Sequence, residues 1–423
     1  MFHFTRSTQF LFLISIATAA SAATWCVNPT GTGGCKTTIG AAVTSAAAGD
    51  TVSVAPGTYK ESVTIGKTLT LVGSDAATTI IEAKGLPVGI IVDGINNAKL
   101  GGVFISGFTV QNAKYEGILV LNASAVTVSS NIVQGNNAAL DFSGGAPACP
   151  GIAAYETGEG FDCGEGIHLM GTDHANVVGN TVQNNAGGIL VSDDTAVTHH
   201  NLISGNIVAN NIFDCGITIA SHVPADLTKS TTALGIYSTM VVGNQSTGNG
   251  IKGAGAGVGI FASAPGTAAY NNIVTGNTLT GNGIPGVAIH GHTPGQNLNG
   301  NQIIGNTISG NGADTADAFT PGTAGVNVFS VSPVTGTVIS QNIISGQALD
   351  VVVNAPGDTR VVRNSFTRGV VGILNMGAGT VTAEGDYWGC PTDPRFQFPG
   401  FNLCASAVGA VNINTWSSAP ISK

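Results

Sequence analysis

Along most of this chain apolar and polar residues alternate with a period of two, in short bursts that open on glycine. Six bursts share one frame: "GIHLMGT" from Gly166, "GILVSDD" from Gly188, "GITIASH" from Gly216, "GVGIFAS" from Gly257, "GVAIHGH" from Gly286 and "GVNVFSV" from Gly325. The second and fourth residues of each are apolar, so the pattern predicts strands with one face inward. Most are preceded by a second motif built on an asparagine. It reads "SSNIVQGNN" at Asn131, "VGNTVQNN" at Asn180, "SGNIVANN" at Asn206 and "VGNQSTGN" at Asn244. It returns at Asn277, Asn306, Asn342 and Asn364. The shortest repeat is about 22 residues, and longer ones carry insertions. A helical period is found only near the start, over Thr38–Ala48.

Short strands, a recurring unit and asparagines in register predict an all-β parallel β-helix, each turn pairing with its neighbours about 4.8 Å away. Asparagines stacked at the corners would hydrogen-bond one another along the axis. A β-sandwich or propeller would instead need antiparallel hairpins with their own turn pairs. The ends of such a stack must be covered. The stretch "TTIGAAVTSAAAGDTVSVAPGTYKESVTIGKTLTLVG", with its short helix, resembles the N-terminal cap of the pectin-lyase-like β-helices. The closing "GDYWGCPTDPRFQFPGFNLC" is similar to the last segment of secreted proteins with NosD-type repeats. The resemblance implies right-handed coiling. It does not single out an activity, because that superfamily includes lyases, hydrolases, epimerases, adhesins and metal-maturation proteins. The expected organisation is one domain over 23–423: cap and first turns over 23–85, repeats over 86–380 and a C-terminal cap over 381–423.

Residues 1–22 have one basic residue, Arg6, an apolar run and the ending Ala20-Ser21-Ala22. This predicts a cleaved signal peptide and a secreted or periplasmic chain. No stretch reaches the apolar length of a membrane span. Seven cysteines suit an oxidising compartment. Cys26/Cys35 and Cys390/Cys404 are expected as staples, with Cys149/Cys163 closing an insertion and Cys215 left as a thiol.

The alternation also sorts the polar residues. The third, fifth and seventh positions of each burst face outward. The third column holds His168, Leu190, Thr218, Gly259, Ala288 and Asn327; the fifth holds Met170, Ser192, Ala220, Phe261, His290 and Phe329. The seventh holds Thr172, Asp194, His222, Ser263, His292 and Val331. This register places Asp194 beside His222, and His290 with His292 on one strand and one face. His199 and His200 are adjacent and are expected on opposite faces. Three insertions, 138–164, 223–234 and 312–324, would wall this face.

Only 9% of residues are charged and the formal net charge is −9, which argues against nucleic-acid and anionic-membrane partners. Between Tyr115 and Thr359 the only basic residues are Lys229 and Lys252, against fifteen carboxylates and seven histidines. Eliminative cleavage of uronates needs cations to neutralise the substrate carboxylate, so a lyase or epimerase is disfavoured. "SDD" and "HGH" are superficially similar to polygalacturonase motifs, but their spacing does not carry those roles over.

Two functional readings follow. In the first, the groove binds a polysaccharide or cell-surface glycan and hydrolyses it. Asp193, Asp194, Glu165 and His222 are then the catalytic candidates, and His290, His292, His168, Asp162, Asp214 and Tyr155 the substrate-binding ones. In the second, His222, His290 and His292 hold a cation, either Ca²⁺ or a histidine-bound transition metal. A purely adhesive or structural β-helix would leave these acids as solvated loop residues.

Overall fold

The computed structural model describes residues 21–144, 147–156, 164–223, 235–252, 254–367, 369–396 and 404–421. The proposed signal segment up to residue 20 therefore lies outside the described residues, as do Asp162, Cys163 and most of the second insertion. Among the described residues, three long parallel sheets of 14, 12 and 11 strands run the length of a solenoid. Each strand pairs with the strand one turn earlier and one turn later. A small three-stranded sheet, Thr198–His199, Ile236–Tyr237 and Ala269–Tyr270, covers one corner.

The register is the one the alternation dictates. Ile167 pairs with Ile189, Ile189 with Ile217, Ile217 with Val258 and Val258 with Val287. Ile167, Leu169, Ile189, Val191, Ile217, Ile219, Val287 and Ile289 all belong to one buried core. Their burial removes apolar surface from water on every turn, which is the main term favouring the stack.

The corner asparagines form a buried ladder. Each side-chain amide donates to the carboxamide oxygen one turn on: Asn131 to Asn180 at 3.1 Å, then through Asn206, Asn244, Asn277, Asn306 and Asn342 to Asn364. That same oxygen also accepts the backbone N–H of the preceding asparagine, as Asn306 Oδ1 does from Asn277 at 2.9 Å. One oxygen thus satisfies two donors, and the free side-chain hydrogen goes to a main-chain carbonyl such as Val274. The last rung is an acid: Asn364 donates its backbone N–H and its amide to Asp386 Oδ1 at 2.7 and 2.8 Å.

A second ladder runs through Asn136, Asn185, Asn211, Asn249, Asn282 and Asn311. It explains the opening glycines. A Cβ on Gly166 would lie 2.8 Å from Asn185 Nδ2, and one on Gly257 2.9 Å from Asn282 Nδ2. Glycine stands at these openings because the ladder, together with the packed side chains and carbonyls beside it, leaves no room.

The N-terminal helix is shorter than expected, Ile39–Ser45, with Thr38 as its N-cap. Glu61 extends the cap by accepting the N–H groups of Ile39 and Gly40 at 2.8 and 2.9 Å. At the other end Trp388 is fully buried and packs edge-on against Phe366. Cys26–Cys35 and Cys390–Cys404 are disulfides and Cys215 is a buried thiol. Cys149 is disulfide-bonded, but its expected partner Cys163 lies outside the described residues. No helix among the described residues is long and apolar enough to cross a membrane.

Two stability tests follow. Replacing Asn306 by alanine strands both donors of Asn277 and should lower the unfolding free energy by about 2–4 kcal/mol, read from the denaturant midpoint. Asp386 tests the ladder's end. Burial outweighs the two bonds from Asn364 and raises its pKa to about 7. A raised folded-state pKa favours folding in acid, a contribution lost as pH climbs from about 4 through about 7. D386N should therefore be more stable than the wild type at pH 8 and lose that advantage at pH 4. An advantage of equal size at both pH values would show that the carboxyl is not titrating there.

Candidate functional site

On the 14- and 11-stranded sheets the strands alternate between buried and partly exposed positions. On the 12-stranded sheet, Glu165–Met170, Gly187–Ser192, Ile217–Ser221 and Val287–Gly291 are buried at every position. Both faces of this sheet are covered, so polar groups on its outer side are held in a low-dielectric environment. His168, His222 and His290 point outward in register but are only 2%, 3% and 1% exposed.

The third insertion brings acids to His290 and to its neighbour His292. Asp314 organises it, accepting from the N–H groups of Asp317 and Ala318 and receiving Thr320 N–H on its own carbonyl. That turn presents Asp317 Oδ2 3.4 Å from His290 Nδ1 and 3.2 Å from His292 Nε2. The two imidazoles hold the Asp317 carboxyl well below the usual carboxylate range. In return its hydrogen bond raises the His292 pKa. Phe261 and Phe329 pack around the pair, at centroid distances of 5.3 Å from His290 and 5.1 Å from His292.

These groups form one end of a cavity of about 500 Å³. Its described walls include Asp214, Thr218, His222, Phe261, His290, His292, Asp314 and Asp317, and no lysine or arginine is among the described lining residues. At the opposite end Thr218 donates to Asp214 at 3.1 Å, and burial pushes the Asp214 carboxyl up. Asp194 lies one rung behind His222, Oδ2 to Nδ1 at 3.4 Å. Burial works against its charge, but His222, Ser192 and His168 together outweigh burial and keep its pKa low.

Asp193 has a different task. It accepts from Ser221 Oγ at 2.8 Å and from the N–H groups of His222 at 2.8 Å and Gly235 at 2.6 Å. Those bonds clamp the two ends of the second insertion. Neither Asp193 nor Asp194 lines the cavity.

Comparison with known proteins now places the architecture. The family model described as "right handed beta helix region" matches residues 88–308, just over half of the chain. The chain belongs to this right-handed β-helix family. A search of curated protein sequences finds no match. Among solved structures, this β-helix is similar to the catalytic unit of a GH87 α-1,3-glucanase from Streptomyces thermodiastaticus. The two share 17% identity, with 88% of this chain and 70% of that one covered and a TM-score of 0.55. A DFA-IIIase from Arthrobacter chlorophenolicus without its lid shares 12% identity, 88% and 95% coverage and a TM-score of 0.54. The Dettilon tailspike protein shares 11% identity, 85% and 62% coverage and a TM-score of 0.51. Identities this low speak for the fold alone.

Among the described residues, three clusters bring ligand atoms within 4.8 Å of one another: His290, His292 and Asp317; Glu116, Glu156 and His168; and Asp173, His174 and His199. His222 shares the cavity with His290 and His292, while the tight cluster around those two is completed by Asp317. Glu165 is buried beside Gly187, where a Cβ would come within 3.0 Å of Glu165 Oε1. Like Tyr155 it lies outside the cavity wall. Burial raises the pKa of Tyr155 first, and the neighbouring Glu156 raises it further.

His199 and His200 depart from the opposite-face expectation. His200 takes a left-handed backbone, φ 54°, and its Nδ1 comes 2.9 Å from His199 Nδ1. His174 stacks on His200 at 5.2 Å, while Tyr237 and Tyr270 continue the stack from His199.

The sequence reading passed over Glu116, Asp314 and Asp317. Glu116 had a legible signal: it precedes Gly117-Ile118 as Glu165 precedes Gly166-Ile167, one turn later. The two aspartates had none, because an irregular loop carries no period.

The Asp317–His292 pair gives a direct test. By NMR titration His292 should show a pKa above that of an ordinary histidine, and D317N should lower it; an unchanged His292 would show that the pair does not form in solution.

Proposed function

We propose that this protein binds a neutral or weakly charged extracellular polysaccharide in the cavity and hydrolyses it, with Asp214 and Asp317 as the two acting carboxyls. One observation carries the reading. A single cavity, with no lysine or arginine among its described lining residues, presents one carboxyl whose acid form burial favours and another that two imidazoles keep ionised. Glycoside hydrolysis needs that division of roles.

Protonated Asp214 gives its proton to the leaving glycosidic oxygen as the bond to the anomeric carbon breaks. Ionised Asp317 stabilises the positive charge that develops on the sugar. Asp214, now a carboxylate, takes a proton from the water that adds to that carbon, which restores both groups. His290 and His292 position Asp317, Asp194 positions His222, and Phe261 offers an apolar platform within the cavity. The roles the sequence assigned to Asp193, Asp194 and Glu165 thus pass to acids that reach the cavity.

The absence of basic residues among the described lining residues supports a neutral substrate over a uronate. The disulfides fit an oxidising compartment, in keeping with a secreted protein. The glucanase and the DFA-IIIase share the architecture, which makes saccharides the first probes to try. A second reading, a cation held by His290, His292 and Asp317, is favoured by their close ligand atoms.

A glycan array followed by reducing-sugar release, with and without chelator, tests both. D214N and D317N should each lower turnover by about 10²-fold or more while leaving thermal stability and binding intact. Wild-type turnover should fall as pH rises through the raised Asp214 pKa and be indifferent to chelator. Wild-type rates in D214N would sink the hydrolase reading, and loss of binding on chelation would put the cation reading in its place.

A further inference from the structure

Beneath the first insertion lies a group of acids that the cavity does not use. Glu116 is fully buried on the sheet, His168 is 2% exposed one turn on, and Glu156, 5% exposed, comes down from the insertion to meet them. None of the three lines the cavity. Their ligand atoms lie within 4.8 Å of one another.

Each has a free side aimed at the others. Neither oxygen of Glu116 meets a hydrogen-bond donor among the described residues, nor do Glu156 Oε2 and His168 Nδ1. His168 is oriented by its other nitrogen, Nε2, which contacts Ser192 Oγ at 2.8 Å. Behind it, Asp194 Oδ1 is likewise without a partner. No lysine or arginine is among the charges acting on Glu116 or Glu156. Apart from each other, the two carboxyls meet neither a donor nor a counter-charge, and a protein keeps such a buried arrangement only when something neutralises it.

We propose that Glu116, Glu156 and His168 bind a divalent transition-metal ion, Zn²⁺ or Mn²⁺, that fastens the first insertion to the sheet. Two carboxylates and one imidazole supply three ligands of the oxygen–nitrogen type these ions accept. Ca²⁺ takes an all-oxygen set, and copper(I) prefers sulfur. The ion would add the positive charge that the sequence omits here and join residues forty positions apart along the chain. Asp194 links this centre to the cavity, because its charge acts on both His168 and His222.

The test uses the full chain stripped with EDTA and reloaded with ZnCl₂ or MnCl₂, with bound metal counted by ICP-MS after dialysis. The H174A/H199A background removes the competing surface cluster, and H292A removes the cavity cluster. Both should retain about one ion per chain, and E116Q and E156Q should lower affinity by about 10- to 100-fold. Thermal melts separate a lost ligand from a damaged fold. Metal should raise the wild-type Tm by about 3–5 °C and leave that of E116Q unmoved. The proposal is overturned if the wild type binds neither ion, if H292A or H174A/H199A abolishes binding, or if E116Q responds to metal as the wild type does. The first of these results would leave the carboxyls neutralised by shared protons.

Discussion

Every turn of this protein must give its main-chain hydrogen bonds to the turn before it and the turn after it, because no other partner lies within reach. That requirement fixes the rest. It sets the axial spacing, brings like residues into columns and forces each inward position to fit its predecessor's side chain. The asparagine ladders meet the same requirement at the corners, where strands bend and their N–H groups would otherwise be stranded in the core. Each carboxamide oxygen takes two donors there, so the corners are as well satisfied as the strands.

Columns have a functional consequence. Residues far apart in sequence become neighbours at a predictable offset, so a catalytic or binding group can be built one turn at a time. The regular part of the molecule supplies His168, His222, His290 and His292 on a rigid wall. The insertions supply Glu156, Asp314 and Asp317 from above. Chemistry arises where the two meet, with burial intensifying every charge. The same burial separates the carboxyls of the cavity: at Asp214 it outweighs the hydrogen bonds from Thr218 and Cys215 and favours the acid form, while Asp317 has two imidazoles and remains ionised.

How much of this could be read beforehand follows from the same division. Strand register, the core columns and the contact between Asp194 and His222 are consequences of period two, and the sequence displays that period openly. The covering of the outer face is not, because alternation says which way a side chain points and not what closes over it. Asp317 was invisible because its position depends on a turn organised by Asp314. His200 was misjudged because a left-handed backbone cancels the alternation on which the opposite-face argument rested. Glu116 differs from these, since its equivalence to Glu165 was present in the text of the repeat and could have been found by extending the column one residue upstream.

The ladder through Asn131 to Asp386 spans rungs separated by 49, 26, 38, 33, 29, 36, 22 and 22 residues along the chain, yet every rung makes the same bond in the same direction. Such a chain of amides has a head and a tail but no privileged middle. Copying an interior turn adds one donor and one acceptor that fit both neighbours, and deleting one rejoins two rungs that already match. Gene duplication within the repeats can therefore lengthen or shorten the molecule without exposing a new end. It can also lengthen the loop of any single turn while the spine stays as it was. A lineage of such proteins is free to vary in reach and in the width of its groove, and it is held constant only at its two caps.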